Sequence, residues 1–218
     1  MPKGYKLVDP RPIAKEAPYT YFLPGPERMA ALKPGDKIYV NFEAVPKRQK
    51  WDSERMWVVI TAIDGERITG TLDSQPDDLP ALKLGDTVDV LSWHVVAVAF
   101  ADSGMEDKFE FEREYWERCL VDQAVIDGEL KVEFLYREEP DMGPGMAEDG
   151  GGAYPDSGWR IRGDTRGSTD DEIQKREAVY VALGLVLNAD DSWLHLIDAP
   201  IGSAFERDHD NGRFRQVK

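Results

Sequence analysis

The chain has 218 residues, 41% hydrophobic and 32% charged, with 27 Lys and Arg against 42 Asp and Glu, a formal net charge of −15. A chain of this length buries enough apolar surface for one or two cores without disulfide or metal staples. The acidic balance excludes nucleic acid and anionic membrane surfaces as partners, because both are bound by basic groups facing phosphate.

No apolar run reaches the ~18 residues of a membrane helix. The opening stretch MPKGYKLVDPRP has no apolar core of the export-signal type, so the expected location is the cytoplasm. One cysteine, Cys119, excludes an internal disulfide and any multi-thiolate metal site. The charge is unevenly spread. Residues 1–104 hold 13 basic and 15 acidic side chains, and residues 105–218 hold 14 and 27. The halves differ in kind, which divides the chain into a domain over 1–104 and an acidic domain over 105–218. The acidic charge serves solubility, and it would also steer a basic partner.

Residues 1–35 carry seven of the 14 prolines, which predicts irregular or extended chain; Tyr19–Leu23 is an apolar cluster that can dock on a core. DKIYVNFEA, 36–44, alternates with Ile38, Val40 and Phe42 on one side and reads as a half-buried strand. A polar loop follows over 45–53. ERMWVVITAI, 54–63, is a second strand, with Trp57, Val59 and Thr61 sharing a side. Asp64-Gly65 signals a hairpin into a third strand over 66–72. After a Pro-containing loop, 86–92 and 94–100 add two short strands. Five strands at this spacing predict a small barrel or curled antiparallel sheet. Ala-Leu-Lys-x-Gly-Asp occurs at 31–36 and again at 81–86, read as shared turn chemistry rather than a true repeat.

Residues 101–108 read as a linker. Phe111, Tyr115, Trp116, Cys119 and Leu120 recur near helical spacing and predict a helix over 109–123. Strands are expected at 130–136 and 159–164, and a short helix at 169–177 with an N-cap at its start. Five glycines and four acids make 141–157 a mobile loop. The apolar run AVYVALGLVLN, 178–188, fits a buried strand or a buried helix; 190–197 looks helical. The fold class is α+β: a small β-rich first domain and a mixed second one.

The search for chemistry finds no catalytic set. There is no G-x-S-x-G nucleophile motif, and the Gly-rich stretches lack the helix and Lys-Ser/Thr of a phosphate loop. His94, His195 and His209 are scattered. Asp191 and His195 stand four apart, but two groups make no metal site. Cys119 lies on the apolar side of its segment and reads as a core thiol, with Cys119–His195 as the remote catalytic alternative. No cofactor or metal is expected. The most distinctive charged cluster is Arg137-Glu138-Glu139, read either as a solvated strand end or as a binding rim. Trp159 is either a core residue opening a strand or an interface anchor.

Two stretches resemble known families. Met56-Trp57-Val58, Gly70-x-Leu72 and Gly85-Asp86-x-Val88, with the upstream Tyr21-Phe22-x-Pro24 and Lys33-x-Gly35-Asp36, resemble the bacterial domain of unknown function 2314. That family tends to show Asn-x-Pro after Leu72, where this chain has Asp73-Ser74-Gln75-Pro76. In the second half, Tyr136-Arg137-Glu138-Glu139-Pro140, Asp156-Ser157-Gly158-Trp159-Arg160, Leu185-x-Leu187-Asn188, Asp198-x-Pro200 and Gly202-Ser203-Ala204-Phe205-Glu206-Arg207 resemble the domain of unknown function 2185, also described as immunity-protein-33-like. This resemblance implies a role in neutralising bacterial toxins and supplies no catalytic residues. The expectation is therefore a non-catalytic binding protein that occludes a basic protein toxin through an acidic surface, with Arg137, Glu138, Glu139, Asp156, Trp159 and Arg160 as the partner-binding residues. The alternative is an enzyme or small-ligand protein with a site between the two domains. A scaffolding role is the third option.

Overall fold

The computed structural model describes residues 4–47, 53–109, 113–146 and 153–217. The chain divides into two compact units, Met1–Glu16 with Tyr21–Glu112, and Ala17–Thr20 with Arg113–Lys218.

The first unit begins with strand β1 (Tyr5–Leu7) and two short helices, α1 (Arg11–Glu16) and α2 (Pro26–Ala30). The expectation of a wholly irregular or extended N-terminal stretch is corrected here. Proline's fixed φ suits the first helical turn, where its missing N–H costs nothing, and Pro26 opens α2. Strands β2 (Lys37–Ala44), β3 (Ser53–Asp64), β4 (Arg67–Leu72), β5 (Thr87–Leu91) and β6 (Val95–Ala99) follow. The order is β1-β2-β3-β4-β5 with β6 also on β2, so the antiparallel sheet curls into a half-barrel. Ile38, Val40 and Phe42 are fully buried, as their alternation predicts. On β3 the inward set is Met56, Val58 and Ile60. Trp57 faces the other way and stacks on Tyr39, ring centroids 4.6 Å apart. The expected polar loop falls partly on 48–52, outside the described residues.

The twice-used Ala-Leu-Lys-x-Gly-Asp folds the same way both times. Asp36 Oδ2 accepts from the Lys33 N–H and Asp86 Oδ2 from the Lys83 N–H, each at 2.9 Å. Gly35 and Gly85 sit at φ +97° and +88°, a region other residues enter only under strain. Each glycine N–H then bonds a carbonyl of a neighbouring strand, Ile60 of β3 or Leu72 of β4, at 2.9 Å. Local turn chemistry thus locks the entry of β2 and of β5. The expected linker at 101–108 is corrected: Ser103–Lys108 form a 3-10 helix whose N-cap, Asp102, accepts from the Gly104 N–H.

The second unit contains β7 (Arg118–Asp122), α3 (Gln123–Ile126), β8 (Val132–Arg137), the two-residue strands β9 (Gly145–Met146) and β10 (Ala153–Tyr154), β11 (Asp156–Gly163), α4 (Asp170–Gln174), β12 (Ala178–Ala182), α5 (Leu183–Ala189), β13 (Ala204–Arg207) and β14 (Phe214–Val217). Six strands form one mixed sheet in the order β12-β7-β11-β8-β13-β14. β7 and β11 run parallel and the other neighbours antiparallel. The core is on one face: Cys119, Val121, Trp159, Ile161 and Leu135 meet Val125 of α3 and Leu183, Val186 and Leu187 of α5.

Two expectations change here. Residues 118–122 form a strand, not the later part of a helix over 109–123; 110–112 lie outside the described residues. β7 is an inner strand flanked on both sides, and side chains on both of its faces are buried, so its apolar spacing carries no clean period of two. The run 178–188 is both a strand and a helix, β12 turning into α5 at Ala182. Of 190–197, only Leu194–Leu196 is helical, as a 3-10 turn. Ala17–Thr20 docks on α5: Asn188 accepts from the Tyr19 N–H at 2.9 Å and donates to Thr20 Oγ1 at 2.7 Å. Gly184 permits this contact, since a Cβ there would stand 2.4 Å from the Tyr19 carbonyl oxygen. Among the described residues no helix is long and apolar enough to cross a membrane.

Candidate functional site

Of the residues singled out in the sequence, Arg137 lies on β8 and Asp156, Trp159 and Arg160 on the neighbouring β11, with Glu138 and Glu139 just past the end of β8; strand alternation sends Trp159 and Arg160 to opposite faces. Trp159 and Arg137 are cross-strand partners on β11 and β8. Trp159 is completely buried, donates from Nε1 to the Ile197 carbonyl at 3.1 Å and packs edge-on against Trp193. Arg137 lies over the Trp159 ring and donates to the Ser157 and Ala199 carbonyls at 3.0 and 2.8 Å. Of the two readings kept open for Trp159, the structure gives the core one. Arg137 ties β8 to the loop before β13.

Arg160 points to the reverse face and forms a charge cluster. Its guanidinium is 4% exposed and meets three carboxylates: Asp156 at 2.8 Å, and Glu138 and Asp141 at 2.5 Å each. Asp156 is 1% exposed, Glu138 41% and Asp141 72%. Asp156 also accepts from the backbone N–H groups of Gly158, Met142 and Asp141. Burial pushes the Asp156 carboxyl up, but the bonds from Arg160 and the two backbone N–H groups of Gly158 and Met142 outweigh it and hold it below its ordinary value. The bond to Asp156, opposed by burial and helped by Glu138 and Asp141, raises Arg160 above its ordinary value. Three formal negative charges face one positive, and the two outer carboxylates reach water. Glu139 is exposed beside them.

The loop expected to be mobile over 141–157 is held at both described ends. Asp141 and Met142 bond Asp156, the Gly143 carbonyl accepts from Tyr180 Oη at 3.0 Å, and β9 pairs with β10. Residues 147–152, which carry part of that expectation, lie outside the described residues. Met142 is 38% exposed next to Asp141.

The reverse face has its own pattern. Tyr180, Leu120, Arg160, Tyr136, Ala204 and Val217 follow one another strand by strand in a row across all six strands. Beside Tyr136, Phe134 pairs with Arg162 and Glu206. Tyr180, Leu120, Phe134 and Tyr136 are all half-buried, and none belongs to the core cluster. Asp141 and these four residues were not singled out in the sequence. Alternation in LKVEFLY does place Phe134 and Tyr136 together, but the row needs the strand order, which no local signal supplies.

Elsewhere in the unit a cavity of about 310 Å3 is lined by Glu133, Asp164, Arg166, Arg207 and His209, among others. These charges are paired within the fold: His209 with Glu133 at 2.9 Å, Arg166 with Asp164, and Arg207 with Asp190 at 2.7 Å. Cys119 is fully buried, and Asp191 accepts from Tyr19 Oη. Among the described residues no group of three or more His, Cys, Asp or Glu side chains is placed to hold a metal ion.

No curated protein and no solved structure matches the chain. Two family models do, one in each half: residues 28–106 match an uncharacterized protein family conserved in bacteria, DUF2314, and residues 119–218 match the immunity protein Imm33 domain.

Proposed function

We propose that the chain is an immunity-type binding protein whose second unit captures a basic protein toxin and blocks its working surface. The Imm33 match supports an immunity-protein-like role. The acidic side chains concentrated in residues 105–218 support a basic partner, which such a field draws in faster than diffusion alone. The observation that carries the reading is the cluster on Arg160. One buried guanidinium on β11 fixes Glu138, just past the end of β8, and Asp141, in the segment that follows, at the surface, so a partner cation meets preorganised acceptors rather than ordering loose side chains. Glu139 extends the rim. Asp156 and Arg160 hold the geometry from below, while Trp159 and Arg137 anchor β11 and β8 from the core side.

The test is capture from lysate of the source organism at low and high salt, followed by expression of the captured protein. The reading expects that protein to be toxic alone and harmless with an equimolar amount of this chain. A captured protein whose toxicity this chain leaves unchanged would overturn it.

A further inference from the structure

The acidic rim accounts for attraction. We infer that the energy of docking comes from the apolar reverse face beside it, and that the occupant is a protein surface presenting an aromatic or aliphatic anchor flanked by Lys or Arg. This deepens the reading proposed above and rests on it for the partner being a protein.

Tyr180, Leu120, Tyr136 and Phe134 lie on the face opposite α3 and α5, each half-buried. Aromatic side chains of this kind dominate binding energy where a rim keeps water out. The Phe134 and Tyr136 rings stand 5.8 Å apart. The strap at 141–143 is fixed to Asp156 and to Tyr180 of the row, with Met142 exposed on it. Charge selects the occupant. Arg162 and Arg215 on this face are already matched by Asp122 and Glu206, both at 2.8 Å. Arg118 shares this face, lying over the Tyr180 ring and donating to the Tyr180 carbonyl, and the water-exposed acids of the Arg160 cluster are Glu138 and Asp141, in the middle of the row. An apolar anchor on the row thus places a neighbouring cation within reach of those carboxylates. An acidic neighbour meets repulsion there.

The experiment is a backbone-amide NMR titration of the full chain with two capped tripeptides, Lys-Trp-Lys and Glu-Trp-Glu, at a few millimolar. Because no toxin is involved, this surface and the immunity reading can fail separately. The expected result is that Lys-Trp-Lys moves the amides of Leu120, Phe134, Tyr136 and Tyr180 and Glu-Trp-Glu leaves them in place. Tyr136→Ala should abolish those shifts. Because that variant alters a sheet residue, the paired Glu138→Gln and Asp141→Asn variant supplies a second check, expected to reduce them at least threefold. Equal responses to both peptides, shifts confined to other surfaces, or no shifts on the row would each overturn the inference.

Discussion

Asp156 Oδ2 lies 2.8 Å from Arg160 Nη2 although four residues separate them on one strand. A regular strand would hold such residues about 13 Å apart. The pairing of β11 with β7 shifts register between these positions, and Gly158 sits at φ +79° between them. This irregular opening of β11 turns Asp156 back under the guanidinium. The acidic rim depends on that bend.

Removing the buried carboxylate tests this directly. Asp156→Ala strips Arg160 of its one fully buried carboxylate partner among the described residues, and breaking such a pair costs roughly 3–5 kcal/mol. Glu138 and Asp141 remain, so the loss should sit at the low end of that range. Asp156→Asn should cost about half as much, because the amide oxygen still accepts. Urea unfolding of both variants measures the difference.

The same carboxylate sets a pH dependence. Its pKa is lower in the folded chain than its ordinary value. Its contribution is therefore complete above the unfolded value of about 3.9 and is lost as pH falls through the folded value. Stability should show no pH dependence from this group between pH 7 and about pH 5, where its contribution is constant, then fall below about pH 4. Asp156→Asn should flatten the acid limb. Urea midpoints measured across that range would expose an error if the wild-type and variant curves ran parallel.

Gly158 and Gly85 give a matched pair. Both have positive φ, but a Cβ at Gly158 would lie 2.1 Å from the Glu138 carbonyl oxygen and one at Gly85 would meet nothing within 4 Å. Gly85→Ala should cost about 1 kcal/mol from backbone conformation alone. Gly158→Ala adds a clash with backbone and should cost roughly 3 kcal/mol or more. It should also loosen the acidic rim, visible as altered amide shifts at Glu138 and Asp141.

Trp159 separates scaffold from surface. Trp159→Phe loses the bond to Ile197 and part of the packing on Trp193, a cost of about 2 kcal/mol. Partner affinity, measured at a temperature where the variant is folded, should remain within about twofold of wild type, well under the tenfold that each 1.4 kcal/mol represents. A much larger loss would restore Trp159 as a contact residue.

The parts of this molecule legible in its sequence are those set by neighbours along the chain. Alternation marks β2 because one face of it is core and Tyr39 on the other is only half-buried. The Gly-Asp turns are legible because an Asp side chain closes on its own backbone. β7 misled because burial on both faces erased the alternation, and the aromatic residues before it supplied a false helical spacing. The strand-to-helix change at Ala182 has no local mark; what fixes it includes Gly184 against Tyr19, more than 160 residues distant. Of the proposed site, the geometry is half legible. Glu138, Asp156 and Arg160 converge, while Trp159, next to Arg160 in the chain, turns into the core because successive strand residues face opposite ways. Asp141 is brought in by its carboxylate's bond to Arg160, a contact that sequence spacing does not announce.

The most direct measurement is the association rate of the proposed toxin partner, once captured, with wild type and with the Glu138→Gln, Asp141→Asn variant as salt rises. Steering by a fixed acidic rim predicts a rate lower by about tenfold for the variant at low salt, with the two converging at high salt as the field is screened. Equal rates at low salt, with the same salt dependence in both, would contradict the account.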